Sequence, residues 1–178
     1  MSRAWRVRTS ESGGDLPNVA PIVVEPVAVR ESRLVLRVLA VWRYARSADG
    51  SPHARVLDAD DMGEDIDYVF TIDVLHKDGP CFTQIGAAVC PAGWPGEQLA
   101  LVAACPEDSV LALVAQQWRE IVDRGVPVTR GGAGVNDGQA VLYRGILMPL
   151  IDETGRISVI MGAANWRAVE ESHGAHRD

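Results

Sequence analysis

Residues 58 to 69 read DADDMGEDIDYV and carry six carboxylates, the donor chemistry that a hard cation takes. A calcium loop of EF-hand type needs oxygen donors at loop positions 1, 3 and 5, a glycine at 6 and a bidentate Glu at 12, because the ion takes six to eight oxygens. Counting from Asp58 puts Asp60 third and Gly63 sixth, but Met62 stands fifth and Val69 twelfth. Two side-chain ligands are missing, the bidentate one among them, so no metal site is expected. The carboxylates are expected instead to cap turns and solvate the approach to a strand, a role Asp fills by accepting from nearby backbone amides.

Other reactive side chains are sparse. Cys81, Cys90 and Cys105 are odd in number and lie in no C-x-x-C spacing, which argues against a disulfide framework and a zinc knuckle alike. Cys105 stands just ahead of a predicted helix N-terminus, where the dipole favours thiolate. A redox thiol and a semi-buried structural one both stay open there. His53 and His76 fall in predicted loops, and His173 and His176 fall near the C-terminus. No G-x-S-x-G, P-loop or H-E-x-x-H occurs, and no His is placed to serve a Ser or Cys nucleophile. No enzyme activity and no catalytic residue are expected.

The bulk properties exclude further classes. The chain has 178 residues, 47% of them hydrophobic, which suits one domain of about 100 to 150 residues with added segments. Seventeen Lys and Arg against 24 Asp and Glu leave a net charge of -7, and no basic stripe stands out to neutralise phosphates, so no nucleic acid is expected. MSRAWRVRTSESGG carries no apolar h-region, and no stretch approaches the roughly 20 apolar residues of a bilayer span. The expectation is a soluble, cytoplasmic protein with no membrane partner.

The elements that must position any site follow from periodicity. From Ser32 as N-cap, Leu34, Val35, Val38, Val41, Trp42 and Ala45 recur at three-to-four spacing until Ser47 to Gly50. That pattern predicts an amphipathic helix, although the valines leave a strand reading open. Tyr68, Phe70, Ile72 and Val74 alternate with Val69, Thr71 and Asp73, a strand period of two. His76 to Pro80 predicts a hairpin turn into a second strand through Ile85. After a Pro- and Gly-rich stretch, a helix is predicted from Pro106 to Arg124, with Pro106 in the first turn, Glu107 and Asp108 at the positive end and Gly125 as stop. VPVTR, AVLYRGILMPLI and RISVIMGAANW read as strands, the last two joined through Asp152 to Gly155. Strands without crossover helices in the C-terminal half predict an α+β fold with one antiparallel sheet.

YRGILMPLIDETGRISVIMGA resembles the C-terminal hairpin of a bacterial PAS-domain subfamily, and ADDMGEDIDYVFTIDVLHKDGPCFTQIGAAV resembles that subfamily's acidic lead-in, first strand, turn and second strand ending in Gly86. The helix with Trp42 and Tyr44, and IVDRGVPV, fit the same template, so the resemblance covers roughly residues 32 to 166. CPAGWPGEQLALVAACPEDS departs from it. The resemblance implies a PAS-like five-stranded antiparallel sheet with helices on one face, an N-terminal amphipathic helix and a small cavity. The implied organisation is a flexible tail over 1–20, an extended segment and helix over 21–50, a PAS-like domain over 51–167 and a flexible tail over 168–178. It also implies a stand-alone sensory module of signal transduction, working through protein–protein interaction.

PAS domains can hold haem, flavin or a metabolite. Haem requires an axial ligand such as His on the long helix, and residues 106–124 contain none; Cys90 lacks the polar Asn/Arg/Gln surroundings of a light-sensing flavin site. No cofactor is expected. Strand parity groups Tyr143, Leu147, Val159 and Met161 with Phe70, Ile72 and Trp118 as lining of a cavity, unless they simply fill a core. The opposite parity, Leu142, Ile146, Met148 and Ile160, is also apolar. A sheet apolar on both faces must be covered twice, so these residues, with Val38, Val41 and Trp42, are expected at an interface within the chain or across a homodimer. Two functions follow: a module docking a signalling protein such as a sensor histidine kinase, or a small-molecule receptor using the cavity between the long helix and the sheet.

Overall fold

The alternation that begins the sheet takes hold at Val69, and the strand Val69–Asp73 (β1) turns through Gly79 into Cys81–Ile85 (β2). The computed structural model describes residues 33–46, 50–95 and 99–169, all within the unit Glu31–Asp178. Three longer strands follow: β3 (Val128–Asn136), β4 (Gln139–Ile151) and β5 (Ile157–Ala168). All pairings are antiparallel, and the five strands lie in the order β2-β1-β5-β4-β3.

Helix α1, Leu34–Ala45, forms where the three-to-four spacing predicts it. Arg33 is its N-cap and makes no side-chain capping bond; Ser32, the predicted cap, lies outside the described residues, as do the predicted N-terminal tail and extended segment. Its apolar stripe of Leu34, Val35, Val38 and Trp42 packs on the sheet against Ile146, Met148, Leu150, Met161 and Ala163. The Trp42 indole donates to the Pro149 carbonyl at 2.9 Å, which satisfies the one polar atom that this large side chain takes inside. The second cover expected of a doubly apolar sheet is thus supplied by the chain itself.

The acidic stretch folds into a 3-10 segment, Ala59–Tyr68, kinked at Gly63. Asp58 accepts from the Asp60 amide at 2.7 Å while Asp61 accepts from the Asp58 amide at 2.8 Å, a reciprocal cap of the kind that Asp supplies at helix starts. Arg37 of α1 makes two bonds to the Asp65 carboxylate, at 2.7 and 2.5 Å. The lead-in therefore ties α1 to the sheet as well as solvating it.

The predicted helix from Pro106 to Arg124 is instead two, α2 (Val110–Ala115) and α3 (Trp118–Arg124). Ser109, not Pro106, starts it: its hydroxyl donates to the Pro106 carbonyl at 2.6 Å and accepts from the Ala112 amide at 3.1 Å. Asn136 accepts from the Val110 amide at 2.9 Å, so amides that a helix start leaves without partners are satisfied by side chains. Gln117, at φ -79 and ψ 4, separates α2 from α3, and Gly125 in the left-handed region ends α3, as the sequence predicts.

The sequence also understates β3, which continues past Arg130 through three glycines to Asn136. Glycine is a poor strand former, but the thirteen residues of β4 dictate the pairing. Asp137 (φ 50) and Gly138 (φ 78) close the hairpin with the two positive φ angles that suit the twist of paired strands. At the other end, β5 includes Ala168, the first residue of the predicted tail; residues 170–178 lie outside the described residues.

Candidate functional site

The helix side of the sheet is packed with buried side chains of the chain itself. Phe70, Ile72 and Leu147, three of the predicted cavity residues, are buried there with Phe82 and Ile160 against Val110, Leu111, Val114 and Ile121. Phe70 and Phe82 meet edge to face with ring centroids 6.0 Å apart, an arrangement worth about 0.5–1.5 kcal/mol beyond burial. A Cβ on Gly162 would overlap the Phe70 ring, and one on Gly145 would stand 2.6 Å from Val114 Cγ2. The absence of side chains at these two positions brings ring and helix down onto the strand backbone. Tyr143 and Trp118 pack partly buried at the rim of this cluster.

Val159 and Met161 do not join them. The β4–β5 register pairs Met148 with Met161 and Leu150 with Val159, so both face α1, while Ile160, predicted for the interface, lies on the helix side. Parity carried across the turn slipped by one residue, and a slip of one moves every side chain to the other face; the register is irregular between Leu150 and Ile151. Of the other interface candidates, Val38, Trp42, Ile146 and Met148 are buried inside the chain and Val41 is partly buried against them. These contacts lie within the chain, between α1 and its own sheet. Leu142 alone stays open, at 40% exposure.

The reactive groups are quiet. Burial pushes all three thiols up from the ordinary value, helped at Cys81 by Asp73 and Asp78 and at Cys90 by Asp137, and opposed at Cys105 by a hydrogen bond with Ser109. Cys105 ends a short 3-10 turn, with α2 beginning only at Val110, so the dipole argument for a thiolate fails there.

The open surface lies on the α1 side at the far end of β3, β4 and β5. α1 covers the row Thr129–Ile146–Ala163 but leaves two rows of paired residues beyond it, Gly131–Arg144–Asn165 and Ala133–Leu142–Arg167. A cleft of about 590 Å³ runs from Arg33 and Leu36 of the α1 start, over Gly131 and Ala133, to Leu142 and Arg144. A second, of about 390 Å³, continues across Arg144 to Arg167. In a chain of net charge -7, α1, β3, β4 and β5 contain five arginines and no Asp or Glu. Arg130 and Arg124 share Glu120 on the helix side, and their hydrogen bonds, Arg124's first, hold that carboxyl below its ordinary value. No acidic side chain pairs with Arg144 or Arg167 among the described residues.

β3 is also a free edge. The opposite edge, β2, is closed by Leu99 and Ala100, whose backbones bond Phe82 at 2.9 and 2.8 Å. Beyond β4, the β3 main chain receives only Arg130's own guanidinium, on the Thr129 carbonyl at 3.2 Å, among the described residues. Sequence reasoning missed this surface. The usable signal was the lack of any carboxylate in the last three strands of an acidic chain.

The antiparallel order β2-β1-β5-β4-β3, with the β2-to-β3 connection folded as helices over one face, decides the architecture. The fold is that of a PAS domain. Solved structures similar to the chain include the Cys71Ser mutant of Vivid, at 14% identity over 72% of this chain and 98% of that one, with a TM-score of 0.44. The PAS domain of BvgS from Bordetella pertussis is 16% identical over 56% of this chain and 73% of that one, with a TM-score of 0.36. An RNA-binding light-oxygen-voltage receptor is 17% identical over 60% of this chain and 31% of that one, with a TM-score of 0.40. No family model matches the chain, and no curated protein matches it with significance. The strand pairings, rather than these low identities, carry the PAS topology.

Proposed function

We propose that this PAS domain is a non-enzymatic regulatory module of bacterial signal transduction that acts by docking another protein, a sensor histidine kinase being the kind of partner in view. The observation that supports it most is the contrast within one sheet: a helix side closed by Phe70, Leu147, Gly145 and Gly162, and an α1 side left open at Leu142, Arg144 and Arg167. A receptor for a small molecule needs a concave, largely preformed site, and of the predicted cavity residues Phe70, Ile72 and Leu147 are packed into the helix-side core while Val159 and Met161 face α1. The blue-light reception stated for Vivid is not part of the proposal, since Phe70, Ile72 and Leu147 pack into the helix-side core. A homodimer through α1 is not part of the proposal, because that helix is committed to its own sheet.

Affinity purification of the full chain from its host, followed by quantitative mass spectrometry, tests the reading. Stoichiometric recovery of a signalling protein, reduced by Arg144→Glu, is the expected result. A chain recovered alone that is strongly stabilised by one member of a metabolite library overturns it in favour of the small-molecule receptor.

A further inference from the structure

We infer that the partner's docking element is an acidic, extended segment that adds to β3 as a sixth strand, with an apolar side chain seated against Leu36 and Leu142. This rests on the protein-docking function proposed above and names the chemistry of the partner.

Three observations converge on the same edge. First, β3 presents nine residues, Val128–Asn136, as the last strand of the sheet, a length of about 30 Å at the rise of an extended chain. Unpaired strand edges are templates for another chain, and proteins that do not use them guard them with charge, proline or a covering segment. Among the described residues β2 is covered while β3 is not, and Gly131 to Gly134 hold three glycines and one alanine. A backbone can approach this stretch without meeting side chains, as strand addition requires.

Second, the flanks are basic on both faces of that edge. A strand lying beside β3 alternates its side chains between the faces. On the α1 face they reach Arg144, and on the helix face they reach Arg130, which Glu120 already holds. α1, β3, β4 and β5 contain no Asp or Glu, and Arg144 is the cation left to an acidic partner once Glu120 holds Arg130; complementary charge sets register and on-rate. The same rows argue against a second copy paired edge to edge, which brings two sets of these arginines together. They argue less for nucleic acid, because the chain as a whole carries -7 and the edge offers backbone pairing and an apolar seat rather than a continuous phosphate track.

Third, the rim includes Leu36 and Leu142, each 40% exposed and both lining the cleft beside Gly131 and Ala133. Leu142 sits between Ala133 on β3 and Arg167 on β5, so an apolar residue of the incoming strand lands beside charged neighbours that bind its acidic flanks.

The test uses the full chain and a fluorescein-labelled nonapeptide with a central Val, Glu two residues to either side of it so that all three share one face, and Thr elsewhere, followed by anisotropy. Strand addition predicts that N-methylating alternate residues of one parity weakens binding by about tenfold or more, while the other parity leaves it nearly unchanged, because only one edge of the peptide pairs. Arg144→Glu, checked for an unchanged melting temperature, is expected to weaken binding about tenfold as well, as is replacing the peptide's Glu by Gln. Equal binding of both N-methylated peptides overturns the inference. So does tighter binding of an oligothymidylate of matched charge, or a chain that sediments as a dimer and releases the peptide on dimerising. Recovery of a signalling partner that Arg144→Glu and an Ala133→Pro edge variant leave unchanged sinks the β3 edge while the docking function stands. Failure to recover any partner, with no peptide binding, removes both.

Discussion

On the helix side of the sheet, Gly145 and Gly162 let Val114 and Phe70 rest on strand backbone, whereas on the α1 side Met148, Met161 and Trp42 pack between helix and sheet. The first side closes by removing side chains, and the second by inserting long ones. Closure without side chains leaves little room for change, since interiors pack at crystal-like density and added methylenes force shifts. Closure with Met and Trp is more adaptable, Met being able to fill irregular gaps. The second side is also the incomplete one, because α1 stops short of the rows at Leu142 and Arg144. In the proposed reading the docking surface lies beside the half of the sheet that is packed with Met and Trp.

That contrast can be broken at several points. Trp42→Ala should have the largest effect, about 3–5 kcal/mol for a buried aromatic, read as a lower urea midpoint; near-native stability would mean that α1 is not the second cover. Gly162→Ala should destabilise by about 1–3 kcal/mol, because the new methyl meets the Phe70 ring and Leu147. A tolerated methyl would show free space on the helix side and revive the cavity. Ser109→Ala should cost about 1 kcal/mol through loss of the α2 cap, measured in the same melts. Gly132→Ala, whose Cβ meets nothing closer than Tyr143 Cε1 at 3.9 Å, should stay within about 0.5 kcal/mol of the parent. A larger loss there would mean that the β3 edge is packed against something.

The smallest effect is electrostatic. Glu120 is held below its ordinary value by Arg124 and Arg130, so its contribution is present above the unfolded carboxyl value near about 4.3. It is lost as the pH falls through the lower folded value. Glu120→Gln should flatten the acid limb of the melting curve slightly, and an identical limb would show that the pair is too well solvated to matter. The thiols carry the opposite sign. With folded values raised by burial, their contribution holds below the unfolded thiol value and falls as the pH rises toward the folded one. Native thiols should therefore label far more slowly than those of the urea-unfolded chain.

Local patterns in the sequence predicted local structure well. Three-to-four spacing located α1, alternation located β1, the strand readings of AVLYRGILMPLI and RISVIMGAANW located β4 and β5, and Gly125 marked the end of α3. What failed depended on tertiary partners. β3 extends through glycines because β4 pairs with it, and the helix after Cys105 starts late because Ser109 and Asn136 capture its first amides. Val159, Ile160 and Met161 changed sides because face assignment does not survive a turn whose register is unknown. The open surface was hardest to read, since an edge is defined by the pairing that is missing, and the arginines that flank it are far apart in sequence and adjacent only across strands.

Native mass spectrometry of the full chain, purified from its host without denaturation, tests the central claim most directly: a sealed helix side beside a docking surface. The predicted spectrum shows the bare polypeptide mass, alone or with a protein partner that Arg144→Glu dissociates. A stoichiometric small molecule that survives purification and is released on unfolding would contradict it.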